Sequence, residues 1–296
     1  MRMLLAEDCE VHLAVRPGHA TWRIEHVQKQ IGIHELSLED LPAVEKLISH
    51  VRPQWVFHLA AYGNSSTQTD LSSIISTNIL AGVNLLRAAV AFGVEAFVNA
   101  GSSSEYGYKD HAPSEDEWIE PNSYYAVTKG SMSLFCRYMA QKSGLRIPTL
   151  RLYSAYGPFE EPNRFIPTLI CKGLNGTLPP LVNPAVARDF VHVEDVCRAF
   201  ILAAHHAQPD AIYNVGTGIQ KTIGQVVELA RSSMGIAEEP QWGAMPQRAW
   251  DTSVWVANPT RIQADLGWQP SFDFCEGFAK TVEWFKLGEY MPRYCL

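Results

Sequence analysis

Tyr125 and Lys129 stand four residues apart in a stretch, 123–143, whose pattern predicts a helix, so both side chains share one helix face. A phenol with a pKa of about 10 is a poor acid–base group at neutral pH. A nearby ammonium favours the phenolate and prepares the tyrosine for proton transfer. The same spacing also fits an ordinary surface pair. Upstream, the strand-like AFVNA (96–100) runs into Gly101-Ser102-Ser103-Ser104-Glu105-Tyr106-Gly107. Hydroxyls at the C-terminal end of such a strand lie at the sheet edge where open α/β folds bind ligands. A hydroxyl there can hydrogen-bond an oxygen whose charge changes during reaction. A polar turn with a helix cap has the same composition.

The elements that would position these groups alternate between strand and helix. Val11–Val15, Trp55–Ala61, Ala96–Ala100, Pro148–Tyr153 and Ile212–Val215 read as strands. Leu41–His50, Ser73–Phe92, Ser123–Ser143, Ile166–Gly173, Ile223–Ser233 and Phe274–Phe285 read as helices. Strands separated by helices of this length need crossovers, which predicts an α/β fold with a doubly wound parallel sheet. Such a sheet usually opens with a strand and a glycine-rich turn that seats a pyrophosphate on a helix N-terminus. No glycine precedes Val11, and Met1–Glu7 reads as the end of the helix that follows such a turn. The Rossmann-like unit is therefore expected to be N-terminally incomplete, with Val11–Val15 as its second strand. Residues 159–188, with prolines at 162, 167, 179, 180 and 184, are expected to hold loops, one helix and an exposed connection.

Composition narrows the classes. The 296 residues are 47% hydrophobic and 19% charged, with net charge −7, pI about 5.8 and mean hydropathy −0.08. That suits a chain with a sizeable core, and it offers no net positive field for nucleic acid. The longest apolar candidate, 79–94, is interrupted by Asn84 and Arg87, so no membrane span is expected. The cysteines at 9, 136, 171, 197, 275 and 295 form no C-x-x-C pair, which predicts free thiols. A cytoplasmic protein handling small molecules is the expectation.

Six blocks in order carry a family resemblance: VFHLAA (56–61), GSSSEYG (101–107), YAVTK (125–129), RLYSAYGP (151–158), RDFVHVEDV (188–196) and YNVGTG (213–218). From Glu10 to Phe285 the chain resembles the NAD-dependent epimerase/dehydratase family, extended short-chain dehydrogenases/reductases that modify nucleotide sugars. The resemblance implies a dinucleotide-binding domain at 1–158 and 189–220, and a smaller substrate domain at 159–188 and 221–296. It implies a catalytic set of Ser102, Tyr125 and Lys129, with Lys129 also holding the nicotinamide ribose. Ala60 and Ala61 would line the cofactor, and Asn78 would support the cofactor loop or cap its own helix. Arg188, Arg248 and Asp251 would recognise the nucleotide diphosphate and its ribose, joined by Ser103 and Ser154. Asp195 is expected to organise a turn rather than touch substrate. Arg16, where NAD-preferring members commonly carry Asp, favours NADP over NAD, and Glu35 replaces a frequent Asp near the adenine.

The resemblance also frames the reaction. Family 4,6-dehydratases carry an acidic pair directly after the catalytic Ser/Thr, where this chain has Ser103 and Ser104. Glu105 stands one position further on and, in an extended segment, would face the opposite way, which disfavours dehydration. Two hydride exchanges at sugar C4 remain: reduction of a nucleoside-diphosphate 4-keto-6-deoxyhexose, towards which GSSSEYG and Arg16 lean, and 4-epimerisation. The alternative from another class is a truncated, non-catalytic chain that binds nucleotide sugars. A homodimer through 73–92 and 123–143 is expected. The absent strand is expected between Val11–Val15 and Trp55–Ala61 on one side and Ala96–Ala100 on the other, leaving the chain weakly stable and weak in dinucleotide binding.

Overall fold

The computed structural model describes residues 1–64, 67–246 and 252–294. Their contacts divide into two compact units. The first comprises Met1–Glu105, Pro121–Leu150 and Phe200–Ile212; the second comprises Tyr106–Glu120, Arg151–Ala199 and Tyr213–Leu296.

The first unit opens with α1 (Arg2–Ala6), β1 (Val11–Val15), β2 (Ile31–Glu35), α2 (Leu41–Val51) and β3 (Trp55–His58). There follow α3 (Leu71–Ile75), a π turn at Ser76–Leu80, α4 (Ala81–Phe92) and β4 (Ala96–Ser102). A 3₁₀ turn, Ser103–Tyr106, leads out of β4, and α5 (Tyr124–Ser143) follows. The remaining elements are β5 (Thr149–Leu152), β6 (Ser154–Tyr156), α6 (Phe165–Leu174), β7 (Ala187–His192), α7 (Val193–His206), β8 (Ile212–Val215) and β9 (Gln220–Thr222). The chain closes with α8 (Ile223–Met234), α9 (Thr260–Leu266), α10 (Phe274–Lys286) and α11 (Met291–Tyr294).

Sequence chemistry explains the main boundaries. Asp70 starts the long helical run two residues earlier than the pattern predicts, because its carboxylate accepts the Ser73 N–H at 2.7 Å. Ser123 caps α5 through the Ala126 N–H, and Gly144 ends it in a left-handed conformation. The expected strand at 55–61 is shorter: β3 ends at His58, so Ala60 and Ala61 lie in the connection that follows. Strand β4 is longer than expected and carries Ser102 as its last residue.

The ladders form three sheets. Strands β1 and β2 pair in parallel, Val15 opposite Glu35. A second sheet has the order β3-β4-β5-β8, with β3 parallel to β4 from Trp55–Ala96 to His58–Asn99. In the second unit, β6 lies parallel to β7, and β9 antiparallel to β7. Among the described residues no ladder joins β1 to β3, so each has one unpaired edge. This corrects an expectation: Trp55–His58 and Ala96–Asn99 are direct neighbours, with no gap between them for a further strand.

The core of the first unit packs Val44 and Ile48 of α2, Val56 of β3, Leu85, Leu86 and Ala89 of α4, Phe97 of β4, and Met132 and Cys136 of α5. The run Leu71–Phe92 is, among the described residues, long and apolar enough by composition to cross a membrane, and half of it is buried inside the protein. Asn84 within it donates to the Leu38 and Glu39 carbonyls, as expected of a core helix. The thiols of Cys9, Cys136, Cys197 and Cys275 are free. Cys171 is disulfide-bonded, which corrects the expectation of free thiols. Spacing along the chain excludes a C-x-x-C site but cannot exclude a pairing of distant residues.

Candidate active site

Strand β4, which ends in Ser102, packs against α5, which carries Tyr125 and Lys129, within the first unit. Ser102 ends β4, and its Oγ lies 2.7 Å from the Ser104 Oγ and accepts the Ser104 N–H at 3.2 Å. Ser102 and Ser104 are partly exposed, whereas Ser103 is buried. Tyr125 is half-buried in the first turn of α5, and Lys129, one turn on, is only 4% exposed. Burial pushes the Lys129 ammonium below the ordinary lysine range, and the Glu105 carboxylate pulls it back up.

Glu105 is where the structure departs from expectation. Residues 103–106 form a 3₁₀ turn rather than an extended segment, so the Glu105 side chain folds back under β4 and is fully buried. Its Oε1 accepts the Ser102 N–H at 2.8 Å, and its Oε2 accepts the Ser133 hydroxyl at 2.9 Å. A Cβ on Gly101 would stand 2.7 Å from Thr149 Cγ2 and 2.9 Å from this Oε1, so the glycine makes room for the carboxylate. The conclusion that no free acid follows Ser102 therefore rests on engagement of Glu105, not on an extended backbone. Sequence reasoning missed this role; the signal available was a glycine directly before the hydroxyl run.

A second set of polar groups holds the connection after β3. Asn78 is 2% exposed; its Oδ1 accepts the Tyr62 N–H, and its Nδ2 donates to the Tyr62 carbonyl and to Thr128 Oγ1 on α5. It thus ties the stretch following Ala60 and Ala61 to α5 and does not cap its own helix. The π turn widens the helix locally around Asn78. His58, at the end of β3, is buried against Gly82 and the Phe97 ring. Burial, aided by the Lys129 charge, pushes its pKa down to about 3, so the imidazole is neutral.

At the end of β1, Arg16 is exposed. Glu35 Oε1 accepts the Gly18 N–H at 2.9 Å, which brings the Arg16–Gly18 turn and Glu35 together. That pairing fits the ribose end of a dinucleotide, and the Tyr125–Lys129 face fits the other. None of the described residues ahead of β1 is a glycine that could cradle a pyrophosphate.

In the second unit, Arg188 lies within β7, its Nη1 donating to the Ala187 carbonyl and its guanidinium 5.4 Å from the Trp255 ring centroid. The next residue, Asp189, is fully buried and accepts the N–H and hydroxyl of Thr217 and the N–H groups of Gly218 and Ala257, at 2.6–3.0 Å. Sequence reasoning missed it although it sits inside the RDFVHVEDV block. Ser154 pairs in register with Phe190. Asp195 is buried, and its carboxylate accepts the Ser271 and Phe272 N–H groups and Arg198, so it anchors a distant segment rather than the turn into α7 that was expected of it. Tyr106 donates to Asn214 Oδ1 at 2.8 Å under the Arg151 guanidinium, and burial pushes its pKa up to about 12, away from acid–base use. Arg248 and Asp251 lie outside the described residues.

The chain is similar to known proteins over most of its length. The model of the NAD dependent epimerase/dehydratase family matches residues 1–216. A dTDP-glucose 4,6-dehydratase of Streptomyces griseus is 30% identical over 78% of this chain and 71% of its own length. A UDP-glucose 4-epimerase of Mycolicibacterium smegmatis is 30% identical over 81% and 78%. Among solved structures, the Thermus thermophilus UDP-glucose 4-epimerase in complex with NAD superposes with a TM-score of 0.87 at 29% identity, over 96% of this chain and 94% of its own.

Proposed function

The chain belongs to the NAD dependent epimerase/dehydratase family, and from that premise we propose that it exchanges a proton and a hydride at C4 of a nucleotide-diphosphate sugar. The observation that carries the reading is the β4–α5 corner: a partly exposed Ser102, a Tyr125–Lys129 face, and no free carboxylate directly after the serine. A bound NAD or NADP would supply the hydride exchange. Ser102 hydrogen-bonds the C4 oxygen. Tyr125 takes the C4 hydroxyl proton on oxidation and returns it on reduction. The Lys129 ammonium favours the phenolate and holds the ribose hydroxyls. Ala60 and Ala61 leave room for the ring, with Asn78 fixing the stretch behind them. Arg188, with Ser154 and the undescribed Arg248 and Asp251, meets the diphosphate and nucleoside.

Elimination of water across C5–C6 needs an acid–base pair beside the serine, and Ser103 and Ser104 supply none. Epimerisation draws support from the solved 4-epimerases at 26–29% identity. Reduction of a 4-keto-6-deoxy sugar is the second reading, favoured by the exposed Arg16, which suits the 2′-phosphate of NADPH. The experiment supplies UDP-glucose, UDP-glucuronate and dTDP-4-keto-6-deoxyglucose with millimolar dinucleotide and follows products by NMR. A C4 epimer without net dinucleotide turnover supports epimerisation. Stoichiometric NADPH oxidation supports reduction. A 4-keto-6-deoxy product from a hexose contradicts both. The exposed Leu134, Phe135 and Tyr138 of α5, Leu80 of the π turn and Phe92 of α4 support a homodimer, which sedimentation would test.

A further inference from the structure

The carboxylate of Glu105 touches both halves of the proposed site and belongs to neither. It receives the backbone N–H of Ser102 at 2.8 Å on one oxygen and the hydroxyl of Ser133 at 2.9 Å on the other. Ser133 lies one turn beyond Lys129 on α5, is 2% exposed, and also reaches the Lys129 carbonyl at 3.1 Å. One carboxylate therefore spans from the strand end that carries the hydroxyl to the helix turn that carries the ammonium.

We infer that Glu105 is a positioning residue: by clamping the Ser102 N–H and the Ser133 hydroxyl, it sets how far Ser102 stands from the Tyr125–Lys129 face. This rests on the C4 reading above. Three features make the clamp specific rather than incidental. The 3₁₀ turn is required to fold the side chain inward. Gly101 leaves the space the carboxylate fills. The charge also opposes the downward pull of burial on the Lys129 ammonium. Reacting groups held to a fraction of an ångström gain most of their advantage from such constraint, so a small slip between β4 and α5 would slow the chemical step more than substrate binding.

The test uses Glu105→Gln, which keeps the shape and an acceptor for the Ser102 N–H, and Ser133→Ala, which removes only the second anchor. Each is expected to lower kcat about tenfold with KM for the nucleotide sugar within about twofold. The double variant is expected to be no worse than Glu105→Gln alone within about twofold, because both changes open one bridge. Ser133→Ala is also expected to move the amide NMR resonance of Ser102, to which the Glu105 carboxylate links it. That readout needs no substrate or cofactor, so it stands even if the parent turns over no nucleotide sugar. An unmoved Ser102 resonance overturns the clamp. Multiplicative losses in the double variant, or kcat within about threefold of the parent for both single variants while thermal stability falls, overturn the positioning role and leave Glu105 a scaffold residue.

Discussion

Two parts of the first unit handle their backbone groups in opposite ways. At the β4–α5 corner, β4 is paired on both sides, by β3 and β5, and the turn beyond it is closed by Glu105. At β1 and β3, one edge of each strand has no ladder partner among the described residues. The corner carries the groups proposed for proton transfer. The open edges carry, in the residues that follow them, those proposed for the cofactor: Arg16 after β1, Ala60 and Ala61 after β3. Proton-handling geometry is thus built into the fold on its own, whereas the dinucleotide contacts hang on strands that are half paired. Rigidity follows the satisfaction of buried polar groups, because an unpaired buried donor costs about 1–3 kcal/mol.

The largest expected difference is in hydrogen exchange. Amides of β4 from Phe97 to Gly101 should exchange at least about 10³-fold more slowly than those of β1 and β2, which lack a second neighbour. Uniform protection across β1, β3 and β4 would show that another segment closes the edges and would remove the contrast.

Cofactor affinity is the next measure. Arg16→Ala should weaken NADPH binding more than NADH binding, and equal effects would sink the proposed preference for the 2′-phosphate.

A smaller effect joins the two regions at His58, which ends β3 and feels the Lys129 charge. Its folded pKa, about 3, lies below the unfolded value of about 6.5. Above pH 6.5 the imidazole is neutral in both states and has no effect. As pH falls from 6.5 towards 3 the unfolded chain takes up a proton that the folded chain does not, and stability drops by at most about 1.4 kcal/mol per pH unit. His58→Asn should flatten that acid slope in urea titrations at pH 6.5 and 4.5. An unchanged slope would mean that the imidazole is protonated in the folded state.

Much of this architecture was legible in the sequence for physical reasons. Continuous apolar runs marked β3 and β4, and Ser123 and Gly144 bounded α5, because buried parallel strands and capped helices leave strong local signals. Tyr125 and Lys129 were readable as a pair from their four-residue spacing, whereas Ser102 was singled out by the family resemblance. The strand β2 was not legible, since IGIHE has no continuous apolar run and includes Gly32, His34 and Glu35. Glu105, Asp189 and the Cys171 disulfide were missed because their partners lie far along the chain or depend on a turn whose geometry residue types do not dictate.

The most direct measurement is on Tyr125. Tyr125→Phe removes the transferable proton and keeps the ring, so with millimolar dinucleotide and a turned-over nucleotide sugar, kcat should fall by about 10²–10⁴-fold while nucleotide-sugar affinity stays within about twofold. Activity within about threefold of the unsubstituted protein would contradict proton transfer by Tyr125 and leave the Tyr125–Lys129 pair a structural feature of α5.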